Sequence, residues 1–276
     1  RAGISVTPET LDRAISNIAK RNKLSIEQMR AALAAEGITF EEYREQLKTD
    51  LTLSQLRSRE VLNRIRITTD EIERALVPFR RLRDAFGDQI EIMLELHSNW
   101  SLPSALRIAR AVEPYRPMWL EDVLLTGSLK DYRELAAATS TPILLSERMA
   151  GPFEFEALLE SGVARYLSFD VTWCGGLSLA RKVSNAAEAH QLLVVPHTAG
   201  GPLLFYASTH LTTALTNVAI QESCQRFFEN DWPAMLENPI LPENGTVTAP
   251  DLPGLGMRVK PEIWEHPKAV VRTSRL

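Results

Sequence analysis

The sequence predicts an α/β fold, a partial (βα) barrel preceded by a small all-α helical segment. Three observations carry that prediction. Composition shifts near residue 77, strand and helix patterns alternate six times beyond it, and each predicted strand ends in an ionisable residue. With 276 residues, 45% apolar and 24% charged, the chain resembles ordinary globular proteins and excludes collagenous, disordered and disulfide-scaffold classes. A net charge of −4 without a basic run argues against nucleic acid as a partner. No uncharged apolar stretch reaches the roughly 18 residues of a membrane span, and residues 1–30 hold no apolar block of the signal-peptide kind. Cys174 and Cys224 lack metal-site spacing and read as small packed side chains in a reducing compartment.

Residues 1–76, the first expected domain, contain one of the 16 prolines, two of the 13 glycines and none of the five tryptophans, a composition suited to helices. Hydroxyl residues recur with Gln or Glu three positions later, at Ser25 and Gln28, Thr39 and Glu42, and Thr68 and Glu71, while Pro8 follows Thr7. Such pairs satisfy the free amides of a helix start, and proline suits its first position. Leu11, Ala14, Ile15 and Ile18 keep helical spacing, as do Met29, Ala32 and Leu33, Tyr43 and Leu47, and a longer run from Leu51 through Val61, Leu62 and Ile65. Four or five short helices are expected.

Residues 77–276, the second expected domain, alternate short apolar runs with amphipathic helices. The strands are expected at 90–96, 118–120, 143–146, 166–169, 192–195 and 218–221, and the helices between them at 104–112, 129–138, 153–159, 177–190 and 203–215. This alternation argues a parallel sheet with right-handed crossovers. The Pro-rich stretch 233–267 reads as an extended tail wrapping the barrel.

The strand-end residues are Glu95, Glu121, Glu147, Asp170, His197 and Glu222, spaced by 26, 26, 23, 27 and 25 residues. In a βα barrel, strand ends converge on one mouth, whereas an open sheet would string them along a line. Three carboxylates crowded together repel unless a cation sits among them, so Glu95, Glu121 and Glu147 are the candidate metal ligands. Oxygen-only ligands favour Mg²⁺, which can hold a substrate carboxylate and take up the charge of an enediolate. Asp170 beside His197 would orient the ring and raise its basicity, making His197 the candidate proton-abstracting base. His97, two residues beyond Glu95 on an extended strand, would share that ligand's face and could protonate a leaving hydroxyl. Glu222 could hold developing charge or orient His197. Gly175 and Gly176 suit a tight turn, Trp100 and Trp119 suit core packing, and His190, His210 and His266 read as packed or solvated.

The segments IMLELHSNW, EPYRPMWLED, PILLSERMAGP, YLSFDVTWCGGLSLARKVSNAAEAH, VVPHTAGGPL, AIQES and GTVTAPDLPGLGM stand in order over residues 79–276 and resemble the barrel domain of the enolase superfamily, mandelate racemase subgroup, and most of all its acid-sugar dehydratases. The resemblance implies an enolase-type barrel and a Mg²⁺-dependent lyase that dehydrates a sugar acid through an enediolate. Its metal ligands fall on Glu95, Glu121 and Glu147, its His/Asp dyad on His197 and Asp170, its general acid on His97, and its last-strand carboxylate on Glu222. Glu95 stands where Asp is commoner. The family's capping domain and first two barrel strands have no counterpart in this sequence, so strands three to eight are expected, with catalysis impaired by the missing lid. Two unpaired sheet edges would then need cover, from the N-terminal helices or from a second copy of the chain in a homo-oligomer. Cytoplasmic localisation is the expectation.

Residues 4–76, with ISVTPETLDRAISNIAKRNKLSIEQMRAAL, GITFEEYREQLKTDLTLSQLRSREVLNRI and ITTDEIERAL, resemble the N-terminal chaperone region of the SurA family. That resemblance implies, as the alternative function, a periplasmic chaperone fragment binding unfolded outer-membrane polypeptides, and with it a periplasmic location.

Overall fold

The structure, a computed structural model, describes residues 6–22, 24–35, 37–56, 67–124 and 128–270. Contacts divide the chain into two compact units, Arg1–Thr141 and Pro142–Leu276. No described helix is long and apolar enough to cross a membrane.

The first unit begins with α1 (Pro8–Arg21), α2 (Ile26–Ala35) and α3 (Phe40–Leu56). Each starts where its sequence pattern places it. Thr7 Oγ1 accepts from the Thr10 amide at 3.3 Å, with Pro8 opening the helix. Ser25 and Gln28 bond reciprocally at 2.8 and 3.1 Å, and Thr39 and Glu42 at 2.9 and 3.2 Å, which satisfies amides the helices themselves leave free. The apolar faces close on one another: Val6, Leu11, Ile15, Ala19 and Met29 are buried, with Leu33, Phe40, Tyr43 and Leu47 packed around them. The expected continuation through Val61, Leu62 and Ile65 lies outside the described residues.

Next come α4 (Thr69–Ala75), capped by Thr68 and Glu71 as expected, and α5 (Val77–Phe86). β1 (Met93–Glu95), α6 (Leu102–Val112), a 3₁₀ turn at Glu113–Tyr115, β2 (Trp119–Glu121) and α7 (Leu129–Ala137) follow. α5, which begins at the shift in composition, is tied to the segment after it. Phe79 packs against Tyr115 with ring centroids 5.8 Å apart. The Arg83 guanidinium donates to the carbonyls of Tyr115, Gly87, Ile90 and Arg116 at 2.7–3.0 Å. β1 and β2 pair in parallel with Glu95 opposite Glu121.

The second unit runs β3 (Ile143–Leu145), α8 (Pro152–Ser161), β4 (Tyr166–Asp170), α9 (Val171–Cys174), α10 (Leu177–Ala189), β5 (Leu193–His197) and α11 (Pro202–Thr213). β3 pairs with β4 and β4 with β5, all parallel. Leu167, Ser168, Phe169 and Asp170 are at most 1% exposed, so both faces of β4 are covered, as parallel strands flanked by helices require.

Two expectations are corrected. The sixth strand, placed at 218–221, is only an isolated bridge from Val218 to Val194. Its backbone does follow β5, with the Val194 amide donating to Asn217, Ala219 to Val194 and Glu222 to Pro196, but the chain bends at Ala219 and no ladder extends. The stretch 233–267 is not an extended wrap. After a π turn at Phe227–Asp231 and α12 (Trp232–Met235), the chain folds back on itself through an antiparallel bridge between Leu236 and Val259, followed by α13 (Pro261–Trp264). Trp232, Leu236 and Ile240 thereby build a core with Phe205 and Tyr206 of α11. Asn238 holds this loop, donating to the Gly256 carbonyl and accepting from the Arg258 amide.

Candidate active site

The predicted site residues fall into two groups, one on each unit. On the first, Glu95 and Glu121 end paired strands in register. His97 does meet Glu95, its Nδ1 lying 2.8 Å from Oε1, but not by strand alternation. β1 ends at Glu95, and a turn with His97 at φ +55° and Ser98 at φ +53° brings the ring back. Glu121 accepts a hydrogen bond from Trp119 Nε1 at 3.1 Å. Trp119 is buried, as expected of a packing residue, and Trp100 is half-buried.

On the second unit the chain brings four of the predicted residues together. Asp170 and His197 are register partners at the ends of β4 and β5. Asp170 Oδ2 lies 2.8 Å from His197 Nδ1, and both residues are buried. The other oxygen, Oδ1, accepts from the Thr172 amide at 2.7 Å, the Thr172 hydroxyl at 2.5 Å and the Trp173 amide at 3.2 Å, so one carboxylate caps α9 and orients the imidazole. Glu147, also buried, places Oε2 3.0 Å from His197 Nε2, and its Oε1 lies 3.3 Å from Arg148. Glu222 Oε2 is 3.8 Å from the same Nε2 and accepts from the Thr198 amide at 2.8 Å. Both ring nitrogens of His197 thus face carboxylates.

Electrostatics follow from this packing. Burial alone would push the Asp170 carboxyl upward, but hydrogen bonds from His197 and Thr172 outweigh it and hold the carboxyl below its ordinary range. Burial likewise disfavours a charged His197, yet the bond to Asp170 and the charges of Glu222, Glu147 and Asp170 raise its pKa above the ordinary histidine value. The shift favours the charged ring more than in an ordinary histidine, with Nδ1 beside Asp170 and Nε2 beside Glu147. To accept a proton from carbon, Nε2 must be unprotonated.

Among the described residues, no three acidic, histidine or cysteine side chains form a cluster poised to hold a metal ion. Each predicted ligand bonds a neighbouring side chain: Glu95 with His97, Glu121 with Trp119, and Glu147 with His197. In chemical kind the donor set, three carboxylates, suits a hard divalent cation such as Mg²⁺.

Residue reasoning missed Trp173. Its indole is 53% exposed, with the ring centroid 5.4 Å from that of His197 at an interplanar angle of 31°. The available signal was its position between Asp170 and the Gly175–Gly176 turn. That turn does adopt left-handed backbone, with φ of +128° and +86°, as the expectation for these glycines required.

Residues 27–263 match the family described as enolase C-terminal domain-like. A D-galactonate dehydratase of Ralstonia nicotianae is 33% identical over 193 residues, covering 68% of this chain and 50% of that protein. A D-galactonate dehydratase of Ralstonia pickettii is 31% identical over 197 residues, covering 70% and 52%. Among solved structures, an enolase of the mandelate racemase subgroup from Agrobacterium tumefaciens aligns with a TM-score of 0.70 at 39% identity, over 72% of this chain and 55% of that one. The chain spans about half the length of the curated relatives it matches.

Proposed function

The chain belongs to the enolase superfamily, mandelate racemase subgroup, and on that premise we propose that it acts as a Mg²⁺-dependent lyase that removes water from a sugar acid. Its fold is α/β, a partial barrel of the enolase type with helices preceding it. The observation that carries the functional reading is the buried Asp170–His197 pair at 2.8 Å, set at the C-terminal ends of adjacent parallel strands.

In this reading His197 Nε2, once deprotonated, takes the proton from the carbon next to the substrate carboxylate. Asp170 fixes the ring through Nδ1 and stabilises the imidazolium that results. The electron pair left on carbon forms an enediolate. Its collapse expels the hydroxyl from the neighbouring carbon, which His97 protonates to water, and the resulting enol tautomerises to a 2-keto-3-deoxy acid. Glu95, Glu121 and Glu147 would hold Mg²⁺, which supplies positive charge beside the substrate carboxylate when bound. Glu222, 3.8 Å from Nε2 and anchored by the Thr198 amide, is suited to steer the ring and to repel a second anion from its far side. A small-molecule acid is therefore the partner, and D-galactonate, the substrate named in two relatives, is the first acid to try.

The test is product formation. With Mg²⁺ and a panel of aldonic acids, the chain should release a 2-keto-3-deoxy acid from at least one, and His197→Asn should abolish it. Equal turnover by His197→Asn would overturn the assignment of the base, and no product from any acid would overturn the lyase reading.

A further inference from the structure

Trp173 is an exposed indole beside a buried ionic cluster. Large aromatic side chains usually bury most of their surface, so a half-exposed one fixed in place needs an explanation. The turn that carries it is fixed. Its backbone amide donates to Asp170 Oδ1 at 3.2 Å, and the two other apolar residues of the turn, Val171 and Cys174, are buried. The Cys174 carbonyl accepts from the Gly151 amide at 2.9 Å, tying the turn to the loop after β3. Behind it, a Cβ added at Gly175 would come within 3.0 Å of the Leu179 side chain, so the exit from the turn is tightly packed. The indole thus projects from a held turn, its ring tilted 31° from the His197 imidazole and 5.4 Å away.

On the lyase reading above, we propose that Trp173 is a specificity-determining residue that stacks against the C–H face of the substrate's carbon chain and selects long sugar acids over short ones. His197 addresses the carbon next to the carboxylate. A chain running from there across the indole needs at least about four bonds of ~1.5 Å to cover the 5.4 Å between ring centroids. A six-carbon acid, with four carbon–carbon bonds beyond that carbon's position, reaches over the indole; a three-carbon acid, with one, does not. An aromatic face offers sugar C–H groups apolar area while the hydroxyl groups on the opposite side stay free for water or polar partners. Asp170, Glu147 and Glu222, the carboxylates gathered around His197, offer a long chain no such surface.

The experiment compares D-galactonate with D-glycerate on the full chain with Mg²⁺, for the wild type, Trp173→Ala and Trp173→Phe. The proposal expects the ratio of kcat/KM for galactonate over glycerate to fall about tenfold in Trp173→Ala, chiefly through the galactonate KM, and to return to within about threefold in Trp173→Phe. An unchanged ratio in Trp173→Ala overturns it, whether both acids lose equally or neither does. So does a Phe variant no better than Ala. Calorimetric titration of the wild type with both acids separates this failure from that of the lyase reading. If the wild type neither converts nor binds either acid, both fall together; if it binds and converts galactonate with an unchanged ratio in Trp173→Ala, only the role of Trp173 falls.

Discussion

Oδ2 of Asp170 and Nδ1 of His197 lie 2.8 Å apart, on residues that are register partners of adjacent parallel strands. The relationship is local to β4 and β5. Strand pairing sets the two Cα positions, and the bonds from Thr172 and Trp173 to the other carboxylate oxygen set the rotamer of Asp170. Preorganisation of this kind lets a carboxylate stabilise an imidazolium without rearranging during the reaction.

The pair links stability to pH in a definite window. His197 has a folded pKa above its ordinary 6.5, so its contribution is full below that value and is lost as pH rises through the folded pKa. Asp170 has a folded pKa below its ordinary 3.8, so its contribution is full above that value and is lost as pH falls through the folded pKa. The difference in melting temperature between wild type and Asp170→Asn, followed by circular dichroism, is therefore expected to be greatest between pH 3.8 and 6.5 and to shrink on both sides. A difference that grows steadily toward alkaline pH would contradict the assignment.

Glu147 stands between two duties, bonding His197 Nε2 at 3.0 Å here and serving as a metal ligand in the proposed reaction. Calorimetric titration with Mg²⁺ should give binding that weakens at least about tenfold in Glu147→Gln. Unchanged affinity would remove Glu147 from the ligand set.

Much of this arrangement was legible in the residues. The capping pairs at Thr7, Ser25, Thr39 and Thr68 are local chemistry, and the helices start where those pairs stand. Apolar runs ending in Glu121, Asp170 and His197 place β2, β4 and β5, because a buried parallel strand has little alternation to disguise. Less legible were features set by tertiary geometry. Val218 and Gln221 look like strand residues, but the bend at Ala219 limits the pairing to one bridge. The prolines of 233–267 hid a core: Trp232, Leu236 and Ile240 stand four apart, but Pro233 and Pro239 break the helix that such spacing would announce, and the chain buries them largely from irregular backbone. His97 meets Glu95 through left-handed backbone rather than strand alternation, and the contact of Glu147 with His197 depends on rotamers that no spacing encodes.

The 233–267 stretch can be tested as core at Leu236, which is 1% exposed and shares a cluster with Phe205, Tyr206 and Trp232. Leu236→Ala should cost about 2–5 kcal/mol in urea denaturation. A loss below about 1 kcal/mol would mean that the stretch only drapes the surface.

The cysteines should differ in reactivity. Burial pushes the Cys174 thiol up to about 11, so at pH 8 roughly one molecule in a thousand carries the thiolate there. Cys224 is half-buried. Iodoacetamide at pH 8, read by peptide mass spectrometry, is expected to label Cys224 well before Cys174. Equal labelling would show that the turn carrying Trp173 opens readily.

The most direct measurement of the central claim is hydrogen exchange at the carbon next to the carboxylate. In D₂O with Mg²⁺ and D-galactonate, followed by ¹H NMR, wild-type chain should exchange that proton or convert the acid, while His197→Asn stops both and Asp170→Asn slows them at least about a hundredfold. Exchange that survives His197→Asn unchanged would contradict the account, because the proton would then be leaving to some other base.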